Sequence, residues 1–258
     1  VSNTTKSEAN KARFMFNTGV TLKDRGFVLR IPPVHFVALD PAADGEDYTG
    51  VVLLAREEHQ KGEPEDPDFA VEHMLRIKMA LRLNQELEYA DVLAQMFRLN
   101  RYLKGLQSKG ASMGTVFCVE TNGVGYGYEQ ALRSKLSRST PVIGYTTIGV
   151  MNDDTAAAKK MVMPRLAGLD NLRIQIETHH LKLERDAPGT RELEGEFRAF
   201  VWRGPGRPEA MEGHNDDLVM ATAGAVWAAT KLVPPALKSN LFTRPKKPYY
   251  GTTMRRVH

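Results

Sequence analysis

The stretch HFVALDPAADGEDYTG, His35 to Gly50, decides how this chain is read. An apolar run ends on Asp40, turns through small and acidic residues, and becomes apolar again in TGVVLLARE. Short apolar runs bounded by turn residues predict two strands. A carboxylate at a strand end does little for core packing, but it is well placed to hold something cationic. Asp40 can equally be a turn residue ahead of Pro41, so its role has to be judged with the rest of the chain.

Outward from that stretch, LRIKMALRL alternates Leu75, Ile77, Met79, Leu81 and Leu83 with Arg76, Lys78, Ala80 and Arg82. Period two predicts a third, half-exposed strand with a basic outer face. KGEPEDPD, Lys61 to Asp68, is an acidic loop broken by proline. From Glu86 to Leu106 the apolar spacing changes to that of an amphipathic helix. TVFCVE then predicts a fourth strand ending on Glu120, Tyr128 to Leu136 a short helix, and PVIGYTT a fifth strand. DDTAAAKKMVMPRLAGL predicts a helix kinked or broken at Pro164, and LRIQI a weak strand. RELEGEFRAF and a segment from about Asp216 to Leu232 predict two more helices. The first three strands are joined by connections too short for crossover helices, which predicts a meander. The later strands alternate with helices, which predicts parallel pairing. The sum is an α/β fold: a mixed sheet of five or more strands with helices on both faces. Residues 1–30 are expected to be an extension or linker, 31–233 the domain, and 234–258 a basic tail.

The bulk numbers suit this reading. The chain has 258 residues, 42% hydrophobic and 26% charged, with a net charge of +4. The longest weakly polar stretch, Leu218 to Thr230, is too short to span a bilayer, and no secretory signal is visible. Cys118 is the single cysteine, which excludes an intramolecular disulfide, and its apolar surroundings predict a buried small hydrophobe rather than a catalytic thiol. Residues 231–258 carry Lys231, Lys238, Arg244, Lys246, Lys247, Arg255 and Arg256 with no acid. Such a tail suits a polyanion or simple solvation.

Three carboxylate positions can meet. Asp40 ends the first strand, Glu120 ends the fourth, and Asp216 and Asp217 open the last helix. In a mixed sheet the first and fourth strands can be neighbours with their C-terminal ends on one edge, where ligands bind in open α/β sheets. Clustered carboxylates repel and raise one another's pKa values unless a cation neutralises them. Hard oxygen ligands without His or Cys spacing favour Mg²⁺ or Mn²⁺ over zinc. Such a set can hold two metals roughly 4 Å apart, which suits displacement at phosphorus. Asp217 lies three residues after His214, so the two can share a helix face. Asp217 is therefore the preferred ligand. Asp216 is a helix cap or an auxiliary ligand, and Asp47 and His214 are auxiliary candidates. Glu120 can instead cap the turn at Asn122–Gly123.

ALDPAADGEDYTG, VFCVETNGVGYG and EGHNDDLVMATAGAVWA together resemble the nuclease domain of tailed-bacteriophage large terminase subunits. The resemblance covers roughly residues 34 to 232. It implies a ribonuclease-H-like fold and Mg²⁺- or Mn²⁺-dependent cutting of concatemeric double-stranded DNA during genome packaging. In that family the three segments supply metal-binding acids, which match Asp40, Glu120 and Asp216–Asp217 here. It further implies a packaging ATPase domain, a portal protein and a small terminase subunit as partners, in the host cytoplasm, with no membrane. No G-x-x-x-x-G-K-[ST] motif is present; GLQSKGAS has Ala111 where lysine is needed. The chain is therefore expected to be the nuclease part without the motor. NGVGYGY is not a dinucleotide fingerprint, because Tyr128 stands where the third glycine is required. Its glycines are expected to let backbone approach the metal site or DNA. Candidate DNA contacts are Arg76, Lys78, Arg82, Lys159, Lys160, Arg165 and Lys182, acting by collective charge. Two rival readings are a non-catalytic DNA clamp or portal-docking domain, and a resolvase-like nuclease.

Overall fold

The computed structural model describes residues 26, 28–29, 32–42, 48–63, 66–148, 161–202 and 208–231. Asp47, Lys159, Lys160 and the tail beyond residue 231 lie outside the described residues.

The opening stretch forms the centre of the sheet. Strand β2, Val34–Asp40, is buried along its length until Asp40. It pairs antiparallel with β3, Thr49–Lys61, and parallel with β5, Gly114–Glu120. β4, Ala70–Leu83, completes the meander by pairing antiparallel with β3. β6, Val142–Ile148, and β7, Met161–Pro164, extend the sheet beyond β5 in parallel, and β8, Leu181–Leu183, adds parallel to β4. The order is β7-β6-β5-β2-β3-β4-β8, with β1, Val28–Leu29, paired to β3. A separate hairpin joins β9, Phe200–Trp202, to β10, Pro208–Ala210. The expected first and fourth strands are thus direct neighbours.

Helices cover both faces. On one face lie α1, Tyr89–Ser108, and α2, Gly125–Lys135, over Val37, Leu39, Phe117 and Val119. Val92, Met96 and Leu103 recur at helical spacing and turn inward from α1. The other face carries α3, Arg165–Glu177, α4, Thr190–Ala199, and α5, Asp217–Lys231, over Phe36, Ala38, Val52, Leu54, Val116 and Cys118. A strand sandwiched this way is apolar on both sides, which is why VHFVALD reads as a continuous run. α5 is buried nearly all round, with the sheet beneath it and α3 and α4 beside it. The fold is α/β, with a mixed eight-stranded sheet flanked by helices.

Three local expectations are corrected. LRIQI is not a strand but the second half of α3. Leu169, Leu172 and Ile176 pack inward at helical spacing while Ile174 is exposed, so period 3.6 overrides the apparent alternation. Pro164 neither kinks nor breaks a helix. It ends β7 and stands just before α3, where its missing N–H costs no helical bond. The third correction concerns the basic face of β4. The register slips between Leu53 and Leu54, which pair with Met79 and Ile77, so Lys78 is an extra residue. Leu75 and Ile77 therefore face the α5 layer, while Met79, Leu81 and Leu83 face the α1 layer. Arg76 and Arg82 are thrown to opposite sides, and no single basic face exists.

Candidate active site

The sheet register brings the acids together. Leu39 pairs with Val119, so the next residues, Asp40 and Glu120, end two adjacent parallel strands. Both share the side of Ala38 and Cys118, which is the α5 side. Their carboxyl groups are close enough for Glu120 to act directly on Asp40. Burial pushes the Asp40 carboxyl well above the usual carboxylate range, and this contact with Glu120 and the charges of Glu120, Asp217 and Asp216 push it the same way. Asn122 holds the second member: its Nδ2 donates to Glu120 Oε1 at 2.8 Å and to the Thr147 carbonyl at 2.9 Å. Tyr145, opposite Glu120 in the register, is buried beneath the pair. Burial, then Asp40 and Glu120, raise its hydroxyl pKa.

Two glycines permit the close approaches. Gly50 pairs with Asp40 across β2 and β3. A Cβ on Gly50 would lie 2.7 Å from the Asp217 carbonyl oxygen, so the start of α5 rests on bare backbone beside Asp40. A Cβ on Gly125 would lie 1.7 Å from the Glu120 carbonyl oxygen. The first turn of α2 therefore sits directly on the strand end at Gly125, a contact between helix and strand backbone.

The start of α5 is pinned by Glu196, a residue that no sequence pattern singled out. Its Oε2 accepts from the backbone N–H groups of Leu218 at 2.9 Å and Val219 at 3.0 Å. Its Oε1 accepts from Arg82 Nε at 2.8 Å, with Nη2 at 2.6 Å. Glu196 caps the helix from α4, and a negative charge there also suits the helix dipole. Asp40, Gly50 and Arg82 form one row across three strands, so this brace belongs to the same edge as the acids. Burial raises the Glu196 carboxyl pKa, opposed by Arg82 and the two amides. The capping carboxylate is therefore Glu196 rather than Asp216, whose Oδ2 accepts from Arg165 Nη2 at 2.8 Å. The only advance sign of Glu196 was an acid on a predicted helix.

The remaining candidates are distributed as follows. Arg165 opens α3 and reaches the site edge through Asp216. Arg82 belongs to the brace. Arg76 pairs with Glu57 at 2.8 Å and Lys78 with Glu184 at 2.5 Å. Lys182 is opposite Arg76 on β8, six residues of β4 away from Arg82, about 20 Å along the strand. His214 is exposed just before Asp216. His180 stacks on His73 near the opposite end of β4, away from the acids. Cys118 is fully buried, and burial pushes its thiol pKa up.

The donor set is hard oxygen throughout, which fits Mg²⁺ or Mn²⁺. Among the described residues, no group of three or more His, Cys, Asp or Glu side chains is already closed into a metal-holding arrangement. Asp40 and Glu120 are paired, and Asp217 and Asp216 act on Asp40 through their charge. No helix among the described residues is long and apolar enough to cross a membrane.

No protein-family model and no curated protein sequence matches the chain. Among solved structures it is similar to the human cytomegalovirus terminase nuclease domain, at 14% identity and TM-score 0.49, over 84% of this chain and 93% of that one. It is also similar to the large terminase nuclease from thermophilic phage G20c with bound cobalt, at 16% identity and TM-score 0.44, over 83% and 94%. A third similar structure is the Thermus phage P74-26 large terminase nuclease domain, at 15% identity and TM-score 0.38, over 76% and 80%.

Proposed function

We propose that this chain is a Mg²⁺- or Mn²⁺-dependent endonuclease that cuts concatemeric double-stranded DNA during viral genome packaging. The observation that carries the reading is the register that sets the Asp40 and Glu120 carboxyl groups at the ends of adjacent parallel strands, with the charges of Asp217 and Asp216 pressing on Asp40. A fold gains nothing from concentrating unneutralised acids, whereas a phosphodiester hydrolase needs them to hold cations. The three sequence segments that resemble terminase nucleases contain these same residues.

Asp40, Glu120 and Asp217 would hold the divalent cations, with Asp216 as the auxiliary ligand. When bound, a pair of such ions lowers the pKa of water and stabilises the leaving 3′ oxygen. The protein's own work is positional. Asn122 orients Glu120, Gly50 admits the start of α5, and the Glu196–Arg82 brace keeps Asp217 over the strand end. Burial and the neighbouring acids favour the protonated Asp40 carboxyl in the free protein, and a bound cation would favour its ionised form. Arg165 is placed to meet a phosphate at the rim. Asp47 and His214 are further candidates, and Lys159 and Lys160 remain candidate DNA contacts.

In this reading the protein acts in the host cytoplasm. A packaging ATPase domain, a portal protein and a small terminase subunit are its partners, and they restrain cutting while DNA is translocated. A non-catalytic DNA clamp is the second reading, favoured by the absence of a closed three-ligand group among the described residues. A resolvase-like nuclease would share the chemistry but select branched DNA.

Plasmid cleavage with Mn²⁺, Mg²⁺ or EDTA, beside Asp40→Asn, tests the proposal. Metal-dependent cutting that disappears in the variant is expected. Equal cutting by the variant removes the site, and folded wild-type protein that never cuts moves the reading to the clamp.

A further inference from the structure

We infer a second duplex-binding surface on α1 and α2, separate from the candidate active site. Residues 92–119 and 130–152, which take in most of α1 and the second half of α2, contain no acidic residue. The first supplies Arg98, Arg101, Lys104 and Lys109, and the second supplies Lys135 and Arg138 after Arg133. The fold sets them side by side, because Lys104 Nζ donates to Ser137 Oγ at 2.8 Å, where α1 approaches the end of α2. Arg98, Arg101, Lys109, Lys135 and Arg138 are all exposed. Among the described residues none of the six has a carboxylate partner. Arg76, Arg82 and Arg165 are each tied to an acid, whereas these six cations gather without one among the described residues.

Arg98, Arg101, Gly105 and Lys109 recur at helical spacing along the outer side of α1, with Tyr102 beside them, 61% exposed. From Arg98 to Lys109 the stripe runs about 16 Å, long enough to meet several phosphates of one duplex. Gly105 is the independent sign. It lies inside the helix, where alanine would be the better helix former, and an added Cβ would meet nothing within 4 Å. Packing does not require this glycine. A bare spot amid the cations does let a phosphate backbone approach the helix closely.

The stripe runs from mid-α1 toward the N-terminal edge of β5, about 20 Å from the acids along that strand, and it belongs to the opposite helical layer. It therefore holds a different stretch of DNA from the one being cut, or holds DNA while the site is idle. Choosing a duplex over other polyanions rests on the nuclease reading. The stripe meets phosphates, so binding is sequence-independent and salt-sensitive.

The test is fluorescence anisotropy of a labelled 20-base-pair duplex with the full chain in EDTA across a salt series. The triple variant Arg98→Glu/Arg101→Glu/Lys109→Glu should bind at least about tenfold more weakly, its salt slope reduced by about 0.9 for each phosphate it no longer neutralises. Gly105→Leu keeps every charge. It should melt no lower than the wild type yet bind more weakly, a combination that a purely structural glycine would not produce. Wild-type affinity in either variant overturns the inference; for the triple variant it would leave the stripe to an acidic protein. Plasmid cutting reads the nuclease proposal separately. Stripe-dependent binding without cutting sinks the nuclease and keeps the stripe, whereas cutting with stripe-independent binding does the reverse.

Discussion

Replacing Gly50 with alanine should damage both stability and cutting, although it adds one methyl group to a strand. In an unobstructed strand the change would help by about 0.5–1 kcal/mol, because glycine loses more freedom on folding. Here the new Cβ would stand 2.7 Å from the Asp217 carbonyl oxygen, 3.0 Å from its carbonyl carbon and 3.4 Å from Ala221 Cβ. The first two atoms are backbone and cannot rotate away. The start of α5 must retreat by about 0.7 Å to reach ordinary contact, and overpacking of this kind costs about 1–3 kcal/mol. Retreat also pulls the Leu218 and Val219 amides against Glu196, which cannot follow because Arg82 holds it. Melting should therefore fall by roughly 2–10 °C for a chain of this size. Asp217 moves with its backbone, and a misplacement approaching 1 Å at a reacting centre costs on the order of 100-fold in rate. Thermal melting and single-turnover plasmid nicking with Mn²⁺ read the two effects. Gly105→Ala is the control, since nothing there obstructs a methyl group, and it should raise stability by about 1 kcal/mol. A Gly50→Ala protein that melts and cuts like the wild type would show that α5 does not rest on that strand, and the geometric argument for Asp217 would fail.

Glu196→Ala leaves the Arg82 guanidinium without its carboxylate and two helix amides without an acceptor, so it should cost on the order of 3 kcal/mol in a denaturant melt. A loss under about 0.5 kcal/mol would mean that the brace does not hold α5. Asp40→Asn should melt higher than the wild type in EDTA. The folded Asp40 carboxyl titrates above its unfolded value, so its ionisation opposes folding as pH rises, and the amide removes that charge. A lower melting temperature would contradict the pressure of the acid cluster. His35 is buried with Nδ1 2.8 Å from Ser112 Oγ, and burial, aided by Lys78 and opposed by Glu57, lowers its pKa from 6.5 to about 4. Between those values the unfolded chain binds a proton that the folded chain does not. Stability is therefore full above pH 6.5 and falls as pH drops toward 4, by about 3 kcal/mol in all. Melting temperature against pH should show this fall in the wild type and a shallower one in His35→Gln; identical slopes would refute the assignment.

Much of this protein is decided by local sequence. The apolar runs of β2, β3 and β5 are buried on both faces, so their composition alone announces central strands. The short connections around β3 enforce a meander, and the longer ones beyond enforce parallel crossovers. Asp40 and Glu120 were legible because each ends such a run, and the start of α5 was legible because Asp216 and Asp217 precede a long apolar stretch. What the sequence could not settle is which side of an element a residue faces when both sides are covered. The alternation in LRIKMALRL looks like one exposed basic face, yet a single extra residue at Lys78 turns its two halves to opposite layers. In the same way LRIQI satisfies both periods, and only the packing of Leu172 and Ile176 chooses the helix. The parts that aim the acids are further still from local reading. Glu196 caps a helix that begins 21 residues later, Arg82 reaches it across 114 residues, and Gly50 matters for what it lacks. Periodicity is carried by neighbours in sequence, so it fixes elements. Register, bulges and trans caps depend on which distant surfaces meet, and those are decided only when the whole chain closes around its core.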